Sequence, residues 1–289
     1  MKKYYIKPLL AEVLGPDTVI IRKLRGGMMN MTYQLQNKKG ELFLIYIPFQ
    51  HSNDLVNRKE EKNHYDILEE NNFYTDNIYF DVQRGIKINR YIPGLSLNLY
   101  KGDIDYDKIA NQLHLLHDIK TLSNIDYMPL SRLATFEHAL LLYEKESNDY
   151  KYLRDFISSQ KKYFLGQKKC LCHNDAQRSN FIIDKDGNYH LIDFEFMANN
   201  DPYYDIATFG NDSIEEMEEL LRHYDPGATS KDWKRLYILR IFISLQWHAL
   251  ALVKYHHNEN KDAKIDFRAV ANHFIENAKE AKAKFDAIK

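Results

Sequence analysis

Cysteine is nearly missing: 289 residues contain two, Cys170 and Cys172. If they sit on a strand with their side chains on opposite faces, a bridge between them has poor geometry. A reduced, cytoplasmic protein is the resulting expectation. An excess of charge of either sign is also missing. Lys+Arg number 40 against 41 Asp+Glu, a net charge of -1, so there is no global basic surface for nucleic acid. No internal repeat and no low-complexity tract is visible. No clean apolar run of membrane-spanning length occurs either. The most apolar stretch, residues 236–255, is interrupted by Arg240, Gln246 and His248, which predicts a buried helix and no membrane insertion. At the N-terminus, Lys7 and Pro8 interrupt "MKKYYIKPLLAEVLG", so it is not read as a signal peptide.

What is present suffices for a large core: 44% of the residues are hydrophobic. The length suits one large domain or two lobes. Residues 17–25, 31–36 and 41–47 read as strands, with "NKKG" at 37–40 as a turn. Residues 54–72 read as a helix, and 77–82 and 85–91 as two more strands. "IPG" at 92–94 is the expected linker, which divides the chain into residues 1–91 and 92–289. Beyond residue 100 the pattern is helical, at 105–119, 131–146, 150–164, 213–224, 232–255 and 266–285. The expected fold is therefore α+β: a small antiparallel sheet with one helix, then a mainly helical part.

One island of strand signal, residues 169–193, interrupts the helices. "FIID", "KDGN" and "YHLI" (181–192) predict a hairpin with an Asp-Gly turn. If Asp184 pairs with Tyr189, Asn180 stands opposite Asp193, with Cβ atoms roughly 5 Å apart on one face. Glu195 adds another oxygen nearby, and such a group suits a hard cation. Asp175 lies on the loop that enters the hairpin. Two other clusters carry less. Cys170, Cys172 and His173 have no second ligand pair at zinc spacing, and His114 and His117 are expected to be satisfied helix residues. Trp247, Leu250 and Lys254 share one helix face, where core packing competes with a ligand role.

Together these motifs resemble the choline/ethanolamine kinase family, in particular its bacterial choline kinases, which share a two-lobed protein-kinase-like fold with aminoglycoside phosphotransferases. The family pattern H-N-D-x-x-x-x-N is matched by His173, Asn174, Asp175 and Asn180. Asp193, Phe194, Glu195 and Phe196 match D-[FW]-E-[YF], and "NDPYYDIA" (200–207) matches a third pattern. "GGMMNMTYQL" resembles the phosphate loop, and "LVNRKEE" resembles the helix bearing N-R-x-x-E. The resemblance implies ATP and Mg²⁺ as cofactors and the hydroxyl of a small amino alcohol, choline or ethanolamine, as acceptor. It implies Asp175 as base, Asn180 and Asp193 as holders of Mg²⁺, Glu195 beside a second ion, and His173 as a support of the catalytic loop. Gly26, Gly27 and Asn30 would cover the phosphates, Glu61 would sit on the helix, and Asn89, Arg90 and Tyr91 would meet adenine. Asp205 would brace the loop.

Two departures stand out. The family carries a Lys or Arg on its third strand, paired with the helix Glu, where this chain has Tyr46. Losing one preorganised contact costs on the order of 10²–10³ in rate. Either another cation substitutes (Arg25, Arg58 or Lys59) or phosphate binding weakens, and Glu61 lacks its usual mate. The aromatic cage for a quaternary ammonium is also thinned. Trp247 matches one wall, Leu250 stands where a second tryptophan is usual, and Phe196 replaces a tyrosine. Val270 stands near another usual tyrosine, and Tyr203 and Tyr204 remain as walls. Alternatives are a phosphotransferase for another small alcohol or an aminoglycoside, or a pseudokinase that binds nucleotide or a partner without turnover.

Overall fold

The computed structural model describes residues 6–24, 29–49, 56–257 and 265–289. The chain divides into two compact units, Met1–Gly94 and Leu95–Lys289.

The first unit is built on a five-stranded antiparallel sheet, in the order β1-β2-β3-β5-β4. Its strands are β1 (Val19–Lys23), β2 (Asn30–Gln36), β3 (Leu42–Pro48), β4 (Asn77–Asp81) and β5 (Ile86–Arg90). Alternation gives the sheet two unlike faces. Leu35, Phe43, Ile45, Ile47, Ile86 and Ile88 form the apolar face, and Leu9 and Leu10 of helix α1 (Ile6–Leu14) complete that core. Helix α1 is an element beyond the single helix expected. Pro8 falls in its first turn, where a missing N–H costs nothing, and Gly15, at φ 101°, ends it. The opposite face carries Tyr46 and, directly across from it, Lys87. Helix α2 (Arg58–Glu70), capped by the Asn57 side chain on the Glu60 amide, sends Glu61 onto Lys87 of that face.

Strands β6 (Gly94–Ser96), which begins at the boundary residue, β8 (Phe181–Asp184) and β9 (Tyr189–Leu191) form one small sheet. Strands β7 (Cys170–Cys172) and β10 (Ala198–Asn200) form another. The rest is helical: α3 (Tyr106–His117), α4 (Pro129–Leu141), α5 (Asn148–Ser159), α6 (Tyr203–Phe209), α7 (Ile214–Tyr224), α8 (Ser230–His256) and α9 (Phe267–Ala287). Helix α8 has the length and apolarity of a membrane span, but its whole apolar window is buried within the unit. The polar residues that interrupt it are all satisfied, as buried polar groups must be. Arg240 donates to Ala207 O at 2.8 Å, Asn211 Oδ1 at 2.6 Å and Ser244 Oγ at 2.9 Å. Gln246 donates to the Tyr127 hydroxyl, and His248 meets Ala271 O.

The expected hairpin forms, but its register is shifted by one residue. Ile183, not Asp184, pairs with Tyr189, so Asn180 faces Ile192 rather than Asp193. The cause is the turn. Asp184 Oδ1 accepts the Asp186 and Asn188 amides, each at 2.9 Å, and Gly187 takes φ 76°. That is a three-residue loop with a left-handed glycine, where four residues were expected.

Ile88, fully buried at the centre of the first unit, gives a direct test of that core. Ile88→Ala is expected to cost about 2–5 kcal/mol, measured as a lowered urea midpoint.

Candidate active site

Strand β7 delivers the loop 173–180. Cys170 and Cys172, two apart on the strand, share one face rather than opposite ones, and their Sγ atoms lie 3.5 Å apart as free thiols. His117 joins them, within 4.8 Å. Both of its nitrogens are already engaged, Nε2 with Asp205 Oδ2 and Nδ1 with the Tyr224 hydroxyl, each at 2.9 Å. His114 is likewise satisfied by Tyr224 O.

The loop hangs on Asp205. This fully buried carboxylate, on the short helix α6, accepts the amide of His173 at 2.8 Å and that of Asn174 at 2.6 Å. Asn174 adopts φ 64°, a conformation asparagine tolerates better than most residues. Its side chain donates to Phe196 O at 3.0 Å and accepts from Asn200 Nδ2 at 2.7 Å, stitching the loop to β10. His173 meets Ile192 O through Nε2 at 2.9 Å and accepts the Asp175 amide at Nδ1. Burial holds its pKa below the ordinary histidine value. It is a neutral strut between the loop and the end of β9.

Asp175 is buried. Its Oδ2 accepts from Asn180 Nδ2 at 3.0 Å and from Gln177 Nε2 at 3.2 Å. Its Oδ1 is also buried and meets no hydrogen-bond donor among the described residues. Burial, then the charges of Asp193 and Glu195, raise its pKa well above the usual carboxylate range. Asn180 spends its amide nitrogen on Asp175, leaving Oδ1 as the atom it can offer a cation. Asp193 breaks out of β9 with φ 68°, and Glu195 follows, buried, in a 3-10 turn over Phe194–Phe196. Asn180 thus bonds Asp175 directly, and Asp193 and Glu195 act on the Asp175 carboxyl through their charge, although the strand pairing expected between Asn180 and Asp193 does not form. Hard oxygens, a local excess of negative charge and an orphaned carboxylate oxygen fit a divalent cation such as Mg²⁺.

Three residues of this network went unread in the sequence. Gln177 accepts from Asn211 Nδ2 at 3.2 Å, and Asn211 accepts from Arg240 at 2.6 Å. A relay of donors therefore runs from a buried guanidinium to the Asp175 carboxylate. Burial pushes the Arg240 pKa down to about 9. Gln177 occupies an unspecified position of the motif, and Arg240 read only as a break in an apolar run.

The expected substrate residues are placed less uniformly. Trp247 stacks on Phe274, with ring centroids 6.4 Å apart, and Leu250 lies buried one turn further along α8. Phe274 supplies a ring near Val270, where the sequence lacked a tyrosine. Tyr204 is packed in the core, its hydroxyl 3.4 Å from both Tyr127 and Gln246. The Phe196 ring carries the Arg132 guanidinium at 5.0 Å, shared with the rings of Tyr127 and Phe136.

In the first unit, Gly26, Gly27 and Arg25 lie outside the described residues. Asn30 is buried at the start of β2, and Asn89 is buried on β5, accepting from Asn77 at 3.1 Å. The amides of Arg90 and Tyr91 donate to Asp76 O and Leu42 O. Glu61 does not lack a mate. Its Oε1 meets Lys87 Nζ at 2.6 Å and its Oε2 meets Arg58 Nη1 at 2.7 Å, with all three side chains buried. Lys59 points outward.

The sequence profile "Choline/ethanolamine kinase" matches residues 21–219. The protein LicA of Haemophilus influenzae is 27% identical over 257 residues, which cover 81% of this chain and 74% of that protein. The crystal structure of choline kinase LicA from Streptococcus pneumoniae superposes with a TM-score of 0.77 at 22% identity, over 99% of both chains. A spectinomycin phosphotransferase does so at 0.69 and 14% identity, over 98% of this chain and 99% of that one. At these identities the two structures are likenesses of fold.

Removing the clamp should be costly. Asp205→Ala strands two buried amides and the His117 ring, with an expected loss of about 3–5 kcal/mol by chemical denaturation.

Proposed function

Because the chain belongs to the choline/ethanolamine kinase family, a family of phosphotransferases that use nucleotide, we propose that it transfers the γ-phosphoryl group of ATP to the hydroxyl of choline or ethanolamine. The observation that carries this reading is Asp175, bonded by Asn180 and within the field of Asp193 and Glu195, with one buried oxygen left for a partner. The first unit holds the nucleotide, through the Gly26–Gly27 segment, Asn30, and the stretch Asn89 to Tyr91. The second unit carries the chemistry.

In the proposed reaction, Asp175 receives the hydroxyl proton at its free oxygen as the alcohol oxygen attacks the γ-phosphorus. The bond from that phosphorus to the bridging oxygen breaks, and ADP leaves. Asn180 and Gln177 hold the other oxygen of Asp175 and so aim the free one. Asn180 Oδ1 and Asp193 would hold Mg²⁺, with Glu195 beside a second ion. When bound, the metal supplies positive charge that offsets the phosphates and the three carboxylates. Positioning and charge neutralisation carry most of the rate in phosphoryl transfer, so a base that is only modestly effective suffices. Trp247 and Phe274 offer apolar faces for the amine end of the acceptor. The free thiols fit a reducing compartment, and we place the protein in the cytoplasm.

A second reading, a different small alcohol as acceptor, is favoured by one observation. The faces of Phe196 and Tyr127 are taken by Arg132, a cation that would compete with a quaternary ammonium.

ADP release measured against choline, ethanolamine, related amino alcohols and aminoglycosides tests both readings. Turnover with choline or ethanolamine supports the first, and turnover confined to another alcohol or an aminoglycoside supports the second. No release with any acceptor rejects both in favour of a pseudokinase. Asp175→Ala is expected to cut turnover by at least about 10²-fold while leaving the circular dichroism unchanged. Wild-type turnover in that variant would remove Asp175 as the base.

A further inference from the structure

We propose that Lys87 is the phosphate-directed cation of the nucleotide-binding unit, carried on β5 instead of on β3, where the chain has Tyr46. The inference deepens the phosphotransferase reading and rests on it.

The argument begins with the pairing of β3 and β5. Tyr46 and Lys87 are directly opposed residues. Opposed residues point to the same face, with Cβ atoms about 5 Å apart. A charge moved from position 46 to position 87 therefore stays on the same surface of the sheet, displaced by about one strand spacing of 4.8 Å. The four-carbon stem of a lysine can absorb that distance. Its ammonium leans back toward the vacated position and sits 5.4 Å from the centroid of the Tyr46 ring. The face is the correct one. Ile86 and Ile88 enter the apolar core under α1, so Lys87 between them projects to the side that Thr32, Tyr46 and Asn89 share.

The ion pair adds a second, independent observation. Phosphotransferases of the protein-kinase type need a strand lysine paired with a helix glutamate, so that the ammonium is held ready for the phosphates. Glu61 of α2 makes that pair with Lys87 at 2.6 Å, and Arg58 flanks it. A packing role alone accounts poorly for the arrangement. Lys87 is 1% exposed, and taking an ammonium out of water is costly even when it is paired, whereas a leucine or methionine would fill the same space without that cost.

The test compares Lys87→Met, Tyr46→Lys and the double variant, using binding of a fluorescent ATP analogue with Mg²⁺, and kcat and KM from ADP release. Lys87→Met should weaken the analogue at least about tenfold and lower kcat/KM for ATP by about 10²–10³, with the KM for the alcohol little changed. In the double variant the lysine at 46 should recover most of that affinity. Tyr46→Lys alone should bind no tighter than wild type, because the site already holds its cation. Tighter binding by Tyr46→Lys overturns the proposal without requiring Lys87→Met to fold. So does a folded Lys87→Met, judged by a cooperative melt, that keeps wild-type affinity and turnover. Wild-type protein that binds no analogue rejects the phosphotransferase reading and this proposal with it. Binding by wild type that Lys87→Met leaves intact rejects this proposal alone.

Discussion

A single buried carboxylate organises the loop 173–180. Asp205 accepts two successive amides and an imidazole, and these bonds join the loop 173–180 and α3 to α6. The need for it is electrostatic. The charges of Asp193 and Glu195 disfavour the ionised form of the buried Asp175. Chain segments that bear like charges drift apart unless something else holds them. Here backbone contacts do so: the Asp205 clamp, the Asn174 side chain that reaches three carbonyls, and the His173 strut to Ile192. The carboxylates remain together because the scaffold behind them is neutral or oppositely polarised.

The first unit divides its labour between the two faces of one sheet. Leucine, isoleucine and phenylalanine on one face bury against α1 and supply cohesion. The other face is polar, and a helix that brings a glutamate covers Lys87 there. Strand alternation is what makes a charged and buried position compatible with a hydrophobic core one residue away on either side. It also makes the strand of origin of a charge exchangeable, since opposed residues on adjacent strands serve nearly the same point in space.

On the acceptor side of the proposed reaction, aromatic rings are present but partly committed. Trp247 has Phe274 as its neighbour, and Phe196 has Arg132. Tyr204 is sealed in the core. Aromatic content alone is thus a poor guide to a cage, because a ring serves equally well as packing, as a seat for the chain's own guanidinium, or as a wall for a ligand.

Much was legible in the sequence because it is local. The α+β class with its antiparallel sheet and helical second part followed from hydrophobic period. The spacing of His173, Asp175 and Asn180 with the downstream Asp193 and Glu195 pointed to kinase chemistry, because a loop and a hairpin hold those residues together over a short stretch of chain. What only the tertiary structure decided is long-range. The hairpin register depended on a left-handed glycine, and Asp193 leaves the strand with a left-handed backbone that no periodicity reveals. Lys87 meets Glu61 across 26 residues and Arg240 reaches Asn211 across 29. Residue types and nearest-neighbour patterns are written along the chain. Which distant charge answers a buried carboxylate is set by how strands and helices pack, and one sequence position does not declare it.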